Sequence, residues 1–111
     1  MSFQKYMGLL THWGGNWSGA VFNINLKTTT YVVPKPGMLI VQYSVPNART
    51  TLTNGRVFIN DKQVGLFGLG NSDLNGQFHT VATYPVNTDD ECRATTENAN
   101  TTVIATFVPT E

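Results

Sequence analysis

The side chains of this 111-residue sequence best suited to chemistry are two histidines, one cysteine and a short run of carboxylates. His12 and His79 stand far apart, and neither belongs to an H-x-H pair. Cys92 has no second cysteine with which to form a C-x-x-C pair or a disulfide. No metal-ligand spacing is present, so we expect no metal and no cofactor. The stretch "NSDLNG", residues 71–76, opens like a calcium loop. Its twelfth position is Ala82, where such a loop needs a bidentate glutamate, so it reads as an Asx-rich turn. "NTDDE", residues 87–91, gathers Asp89, Asp90 and Glu91 in what reads as a solvated turn. Cys92 falls on an expected strand, where a small buried hydrophobe is the simpler reading. A nucleophile there would need a nearby base and an orienting group. There is no G-x-S-x-G, P-loop or dinucleotide fingerprint.

The most suggestive cluster is "HWGGNWSG", residues 12–19. Trp13 and Trp17 flank glycines too small to cover them. Exposed indole faces stack on sugar rings, and His12 and Asn16 could supply hydrogen bonds, which defines a candidate glycan site. Arg49, Asn54, Asn71, Asp73 and Asn75, on loops, are competing contributors. The plainer reading packs both tryptophans under the domain or into a subunit contact.

The elements that must position these residues read as strands. Hydrophobic residues make up 41% and charged residues only 13%, with Thr and Asn filling the gap. Thr favours strands and Asn favours turns. Seven basic and seven acidic side chains cancel, so no electrostatic footprint for nucleic acid or an anionic membrane is visible. The start lacks the long apolar segment of a signal peptide, and no run is long enough to span a membrane. Synthesis in a cytoplasm is the expectation.

No segment keeps helical spacing for three turns. "VFNINL", 21–26, alternates, placing Phe22, Ile24 and Leu26 on one face and Asn23 and Asn25 on the other. "TTYVV", 29–33, leads into a "PKPG" turn in which Gly37 can take positive φ. "MLIVQYSV", 38–45, follows. "GRVFINDKQVGLFG", 55–68, reads as a hairpin with Asn60-Asp61 at its tip, pairing Ile59 with Lys62, Phe58 with Gln63 and Val57 with Val64. "QFHTVATYPV" (77–86), "DECRAT" (90–95) and "TTVIATFV" (101–108) complete the set. These observations predict an all-β domain of seven to eight strands over residues 21–111, at the spacing of a sandwich or a barrel. Residues 1–20 read as a lead-in or attachment segment.

The order of the turns carries a resemblance. Val33, Pro34 and Gly37 form a "VP-x-x-G" turn, followed by the Asn60-Asp61 hairpin tip. Pro85 and Val86 then precede Asp89 and Asp90, and Ala105, Thr106, Phe107 and Pro109 form an "AT-F-x-P" close. Over roughly residues 28–109 the chain resembles the small β-sandwich heads of bacteriophage tail fibres and other virion appendages, and more distantly the C1q/TNF-like jelly rolls. The resemblance implies an all-β antiparallel sandwich, jelly-roll-like, that assembles as a homotrimer which binds or caps and is not an enzyme, made in the host cytoplasm and carried in a virion on a tail fibre or decorating a capsid. Its partners would be other copies of itself, other virion proteins and a cell-surface glycan.

The residues hint at a subunit interface independently. Leu39, Val41, Tyr43 and Val45 give the third strand one apolar face, yet Met38 and Ile40 make the other face apolar before Gln42 and Ser44 turn it polar. Ile104 and Val108 do the same on the last strand. A solitary antiparallel sandwich alternates cleanly, because one face of each sheet meets water. Met38, Ile40, Ile104 and Val108 are therefore the expected interface, unless a loop or the lead-in covers them. The competing readings are a carbohydrate-binding module built on Trp13 and Trp17, and a C1q/TNF-like signalling or adhesion domain.

Overall fold

The computed structural model describes residues 15–45, 54–68 and 78–110, the side chain of Phe78 excepted. A single 3-10 turn, Trp17–Gly19, precedes eight strands. These are β1 (Val21–Asn25), β2 (Tyr31–Val32), β3 (Gly37–Val45), β4 (Gly55–Ile59), β5 (Lys62–Phe67), β6 (Phe78–Val86), β7 (Glu91–Thr96) and β8 (Thr102–Pro109). They form two antiparallel four-stranded sheets, ordered β1-β8-β3-β6 and β2-β7-β4-β5. Consecutive strands alternate between sheets except in the β4–β5 hairpin, which is the winding of a jelly roll. Of the sandwich and the barrel that the strand spacing allows, the chain forms the sandwich.

The core lies between the sheets. The first sheet contributes Leu39, Val41, Tyr43 and Val45 from β3, with Val103, Ala105 and Phe107 from β8. The second contributes Val57 from β4 and Cys92 and Ala94 from β7. Tyr43 stacks on Phe67 with ring centroids 5.3 Å apart, joining β3 to β5 across the layers. Leu26 closes one side of the sandwich. Its N–H donates to Val103 in the first sheet, and its carbonyl accepts from the N–H of Ala94 in the second. The other side is closed by Tyr84 of β6, whose hydroxyl occupies the space over Gly65 of β5.

The ends of the strands are set by local chemistry. Asn60 and Asp61 both take left-handed φ, 54° and 63°, as a two-residue primed turn demands. Ile59 pairs with Lys62 and Phe58 with Gln63, as expected. Val57 pairs with Gly65 rather than Val64, because a bulge interrupts the register between Val57 and Phe58. At the adjoining β6–β7 turn the carboxylate of Asp90 accepts from Asn60 Nδ2 at 2.9 Å and from the N–H of Asn87 at 2.8 Å. This ties the β6–β7 connection to the hairpin tip.

Three local expectations are corrected. Phe22 does not share the buried face of Ile24 and Leu26; it is 58% exposed. Asn23 sits at φ 58° within a register shift between Val21 and Ile24, which breaks the alternation there. Gly37 is not in the positive-φ region. It is the first residue of β3, and a Cβ there would collide with the carbonyl of Val108 and the ring of Phe107, so close approach is what requires glycine. Finally, "TTYVV" yields only a two-residue strand, since Thr29 and Thr30 belong to the turn region after β1.

Candidate functional site

The register places the outward side chains of the first sheet in rows. Val108, Met38 and Pro85 form the row at the Gly37 end. Thr106, Ile40 and Thr83 come next, then Ile104, Gln42 and Val81, and last Thr102, Ser44 and His79. No strand of this sheet carries Asp, Glu, Lys or Arg. The second sheet, by contrast, carries Glu91, Arg93, Arg56 and Lys62. On that sheet the Arg93 guanidinium lies 4.2 Å over the ring of Phe58 and 3.4 Å from Asp61, while Arg56 reaches Glu97 at 3.5 Å.

The uncharged face is dry at one end and open at the other. Met38 (5% exposed) and Val108 (0%) are buried within a single copy, which corrects the expectation that all four outward apolar residues await a neighbour. The chain entering β1 turns back over this end of the sheet. The N–H of Asn16 donates to the carbonyl of Pro109 at 2.7 Å, and Gly19 lies against the Pro109 ring. Thr110 ties the same end to the Pro36 carbonyl through its N–H and its hydroxyl, both at 3.1 Å. Residues 15–20 therefore pack on the sandwich. Ile40 and Ile104 are half-buried, and Val81 is 57% exposed. Val81 was missed by reasoning from β3 and β8 alone. The alternation of His79, Val81 and Thr83 in "HTVATYPV" was the signal that could have found it.

The four edge strands are guarded unequally. Edge strands normally carry charges, bulges or prolines, or are kept short, so that they do not pair with foreign strands. β1 has its register shift and left-handed Asn23; β2 has two residues and then Pro34; β5 has Lys62 and a bulge. β6 runs nine residues in unbroken register with β3 and carries no Asp, Glu, Lys or Arg; Pro85, near its end, is its one guard.

The remaining candidates are dispersed. Trp17 is 50% exposed on its 3-10 turn. The Asn16 carboxamide oxygen accepts from the Ser18 hydroxyl at 2.6 Å and so shapes that turn. His12 and Trp13, with Arg49, Asn71, Asp73 and Asn75, lie outside the described residues. Asn54 is engaged with Glu97 at 3.4 Å. Cys92 is fully buried on the inner side of the second sheet, and burial together with the nearby Asp90 pushes its thiol up to about 11. His79 lies on the outer face of the other sheet, so the sandwich itself separates the two. Among the described residues, no three His, Cys, Asp or Glu side chains converge on one point.

Neither a scan against protein-family models nor a search of the curated proteins finds a match.

Proposed function

We propose that this chain is the head of a homotrimeric, non-enzymatic bacteriophage virion component, on a tail fibre or a capsid, that contributes to adhesion to the bacterial surface. The single observation that carries the assembly is the asymmetry between the outer faces. A surface buried around a threefold axis gains from having no charge, because a fixed charge near the axis would meet its own copies and one further out would be buried at a cost unless paired. The first sheet meets that condition along all four strands, whereas the second sheet has the charged surface of a solvated face. The long, barely guarded edge of β6 fits the same reading, since a neighbouring copy packed along that side would shield it. The virion setting rests on the resemblance of the turn order. Adhesion would come from three weak sites acting together.

Light scattering on the purified chain tests the assembly. A mass of three protomers at micromolar concentration is the expected result, and Ile40→Lys should bring it down to one. A strict monomer at the highest soluble concentration overturns the proposal.

A second reading, a carbohydrate-binding module, is favoured by one observation: Trp17 presents half its surface on a turn held by its own neighbours. It requires sugar binding by the monomer, lost in Trp17→Ala. Full retention of glycan or cell binding by that variant removes it.

A further inference from the structure

The outer face of the second sheet is the one the proposed assembly leaves in solvent, and its centre carries two guanidiniums. Directly opposed residues of paired strands share a face. Arg93 of β7 stands opposite Phe58 of β4, which stands opposite Gln63 of β5. In the next row Thr95, Arg56 and Leu66 line up in the same strand order. Arg56 and Arg93 are thus diagonal neighbours, and residues so placed stand about 7–8 Å apart. We propose that this face binds a saccharide bearing an acidic group, carboxylate or phosphate, held by Arg93 and Arg56. The inference rests on the adhesion reading above and supplies its site and the class of its ligand.

Both arginines are positioned, and both keep donors to spare. The Arg93 guanidinium is held 4.2 Å over the Phe58 ring, which orients a long side chain without consuming its N–H groups. Its Nε meets Asp61 at 3.4 Å, and its two Nη groups donate to nothing among the described residues. Arg56 meets Glu97 through Nη1 at 3.5 Å. A charge-assisted hydrogen bond of this type is about 2.7–2.9 Å long, so both pairs are loose. Exposed pairs of that kind are worth little, and a ligand oxyanion that takes two parallel N–H bonds from one guanidinium competes well with them. Glu91, the remaining carboxylate on the strands of this face, stands on the side of Arg93 away from Arg56, opposite Val32. Around the two arginines the face is neutral. Gln63 and Thr95 offer hydrogen-bonding groups to sugar hydroxyls, and Leu66, well exposed, offers an apolar surface to the C–H side of a sugar ring. Other partners fit less well. Charged residues are depleted at the core of protein–protein interfaces. Two arginines in a chain of formal net charge zero are not the footprint of a nucleic-acid binder. An open sheet face holds such a ligand weakly, and three copies gain by acting together.

Nuclear magnetic resonance titration at low salt tests this. The acidic probes are a galacturonic-acid trisaccharide and mannose phosphate; galactose trisaccharide and mannose are their neutral counterparts. The Nε–H signals of Arg93 and Arg56 should shift saturably with an acidic probe and stay in place with the neutral ones. A response to the first probe alone makes the ligand's acid a carboxylate, to the second alone a phosphate, and to both an oxyanion of either kind; each supports the proposal. Arg93→Gln should raise the dissociation constant at least about tenfold, with circular dichroism reading whether the sandwich is intact. If that variant does not fold, Arg56→Gln and the arginine signals of the native chain decide. Arg49→Gln, at a competing loop position, should bind as the native chain does. The absence of a saturable shift with either acidic probe overturns the inference. So does equal binding of the neutral counterparts, undiminished binding by folded Arg93→Gln and Arg56→Gln, or loss of binding in Arg49→Gln. A native chain that ignores the probes yet adheres to bacteria overturns this site and leaves the adhesion reading standing. One that binds an acidic probe through Arg93 without adhering to cells that display such a saccharide overturns the adhesion reading and leaves the saccharide site.

Discussion

The hydroxyl of Thr101 is fully buried and makes no hydrogen bond, although its main chain is fully used. Its N–H donates to Asn98, and its carbonyl accepts from Lys27. A buried hydroxyl without a partner costs about 1–3 kcal/mol, and valine has the same shape without that cost. Thr101→Val should therefore raise stability by about 1 kcal/mol, seen as a melting temperature several degrees higher. Cys92 gives the opposite kind of test. Its thiol ionises at about 11 in the fold against 9.0 for the free group. Between those values the folded state holds a proton that the unfolded state has lost, so stability must fall as pH rises through that interval. Urea unfolding from pH 8 to 11 should show that fall, and Cys92→Ala should remove most of it. Tyr31 and Tyr84, also pushed up by burial, leave a residual decline at the top of the range. A slope unchanged by Cys92→Ala would refute the assignment.

At the scale of elements, the hairpin of β4 and β5 shows what local chemistry decides. Its tip needs two left-handed residues, and Asn60 and Asp61 supply them because their short polar side chains tolerate that backbone. Glycine tolerates it better. Asp61→Gly should stabilise the chain by about 0.5–1 kcal/mol, measured by thermal or denaturant unfolding. The contact it removes, to Arg93 at 3.4 Å, is largely in solvent, and such a pair is worth little. Asn60 is not equivalent to Asp61. Its carboxamide accepts from the N–H of Glu91 and donates to Asp90, each at 2.9 Å, so it joins two elements rather than ending one. β1 shows the limit of the same reasoning. Alternation placed Phe22 with Ile24, but the left-handed Asn23 and the register shift beside it leave Phe22 in solvent.

For the whole molecule, Val81 and Leu66 form a natural pair of probes. Both are exposed strand residues near one side of the sandwich, 57% and 61% respectively, on opposite sheets. A lysine at either site has open space and should leave the protomer folded. If copies meet through the uncharged face, Val81→Lys should dissociate the assembly while Leu66→Lys leaves it intact, as read by light scattering. The reverse result would place the contact on the charged sheet. The same comparison explains why Met38 and Val108 are poor probes. They are buried in one copy, and a lysine at either would damage the protomer before it reported on assembly.

Much of this protein was legible in the chain itself. Short alternating runs and turn residues mark all eight strands to within a few residues, because side-chain period and backbone preference are local properties. Leu39, Val41, Tyr43 and Val45 were recognisable as core for the same reason. That Met38 and Val108 are buried within one copy was not legible, since it depends on long-range packing at that end of the sheet. Nor was the uncharged sheet, although every residue of it is in the sequence. Strands β1, β3, β6 and β8 are scattered from residue 21 to residue 109, and the hydrogen bonds that gather them span most of the chain. Local pattern fixes which residues point to opposite sides of a strand; only long-range pairing decides which strands share a sheet, and therefore that one outer face carries no charge.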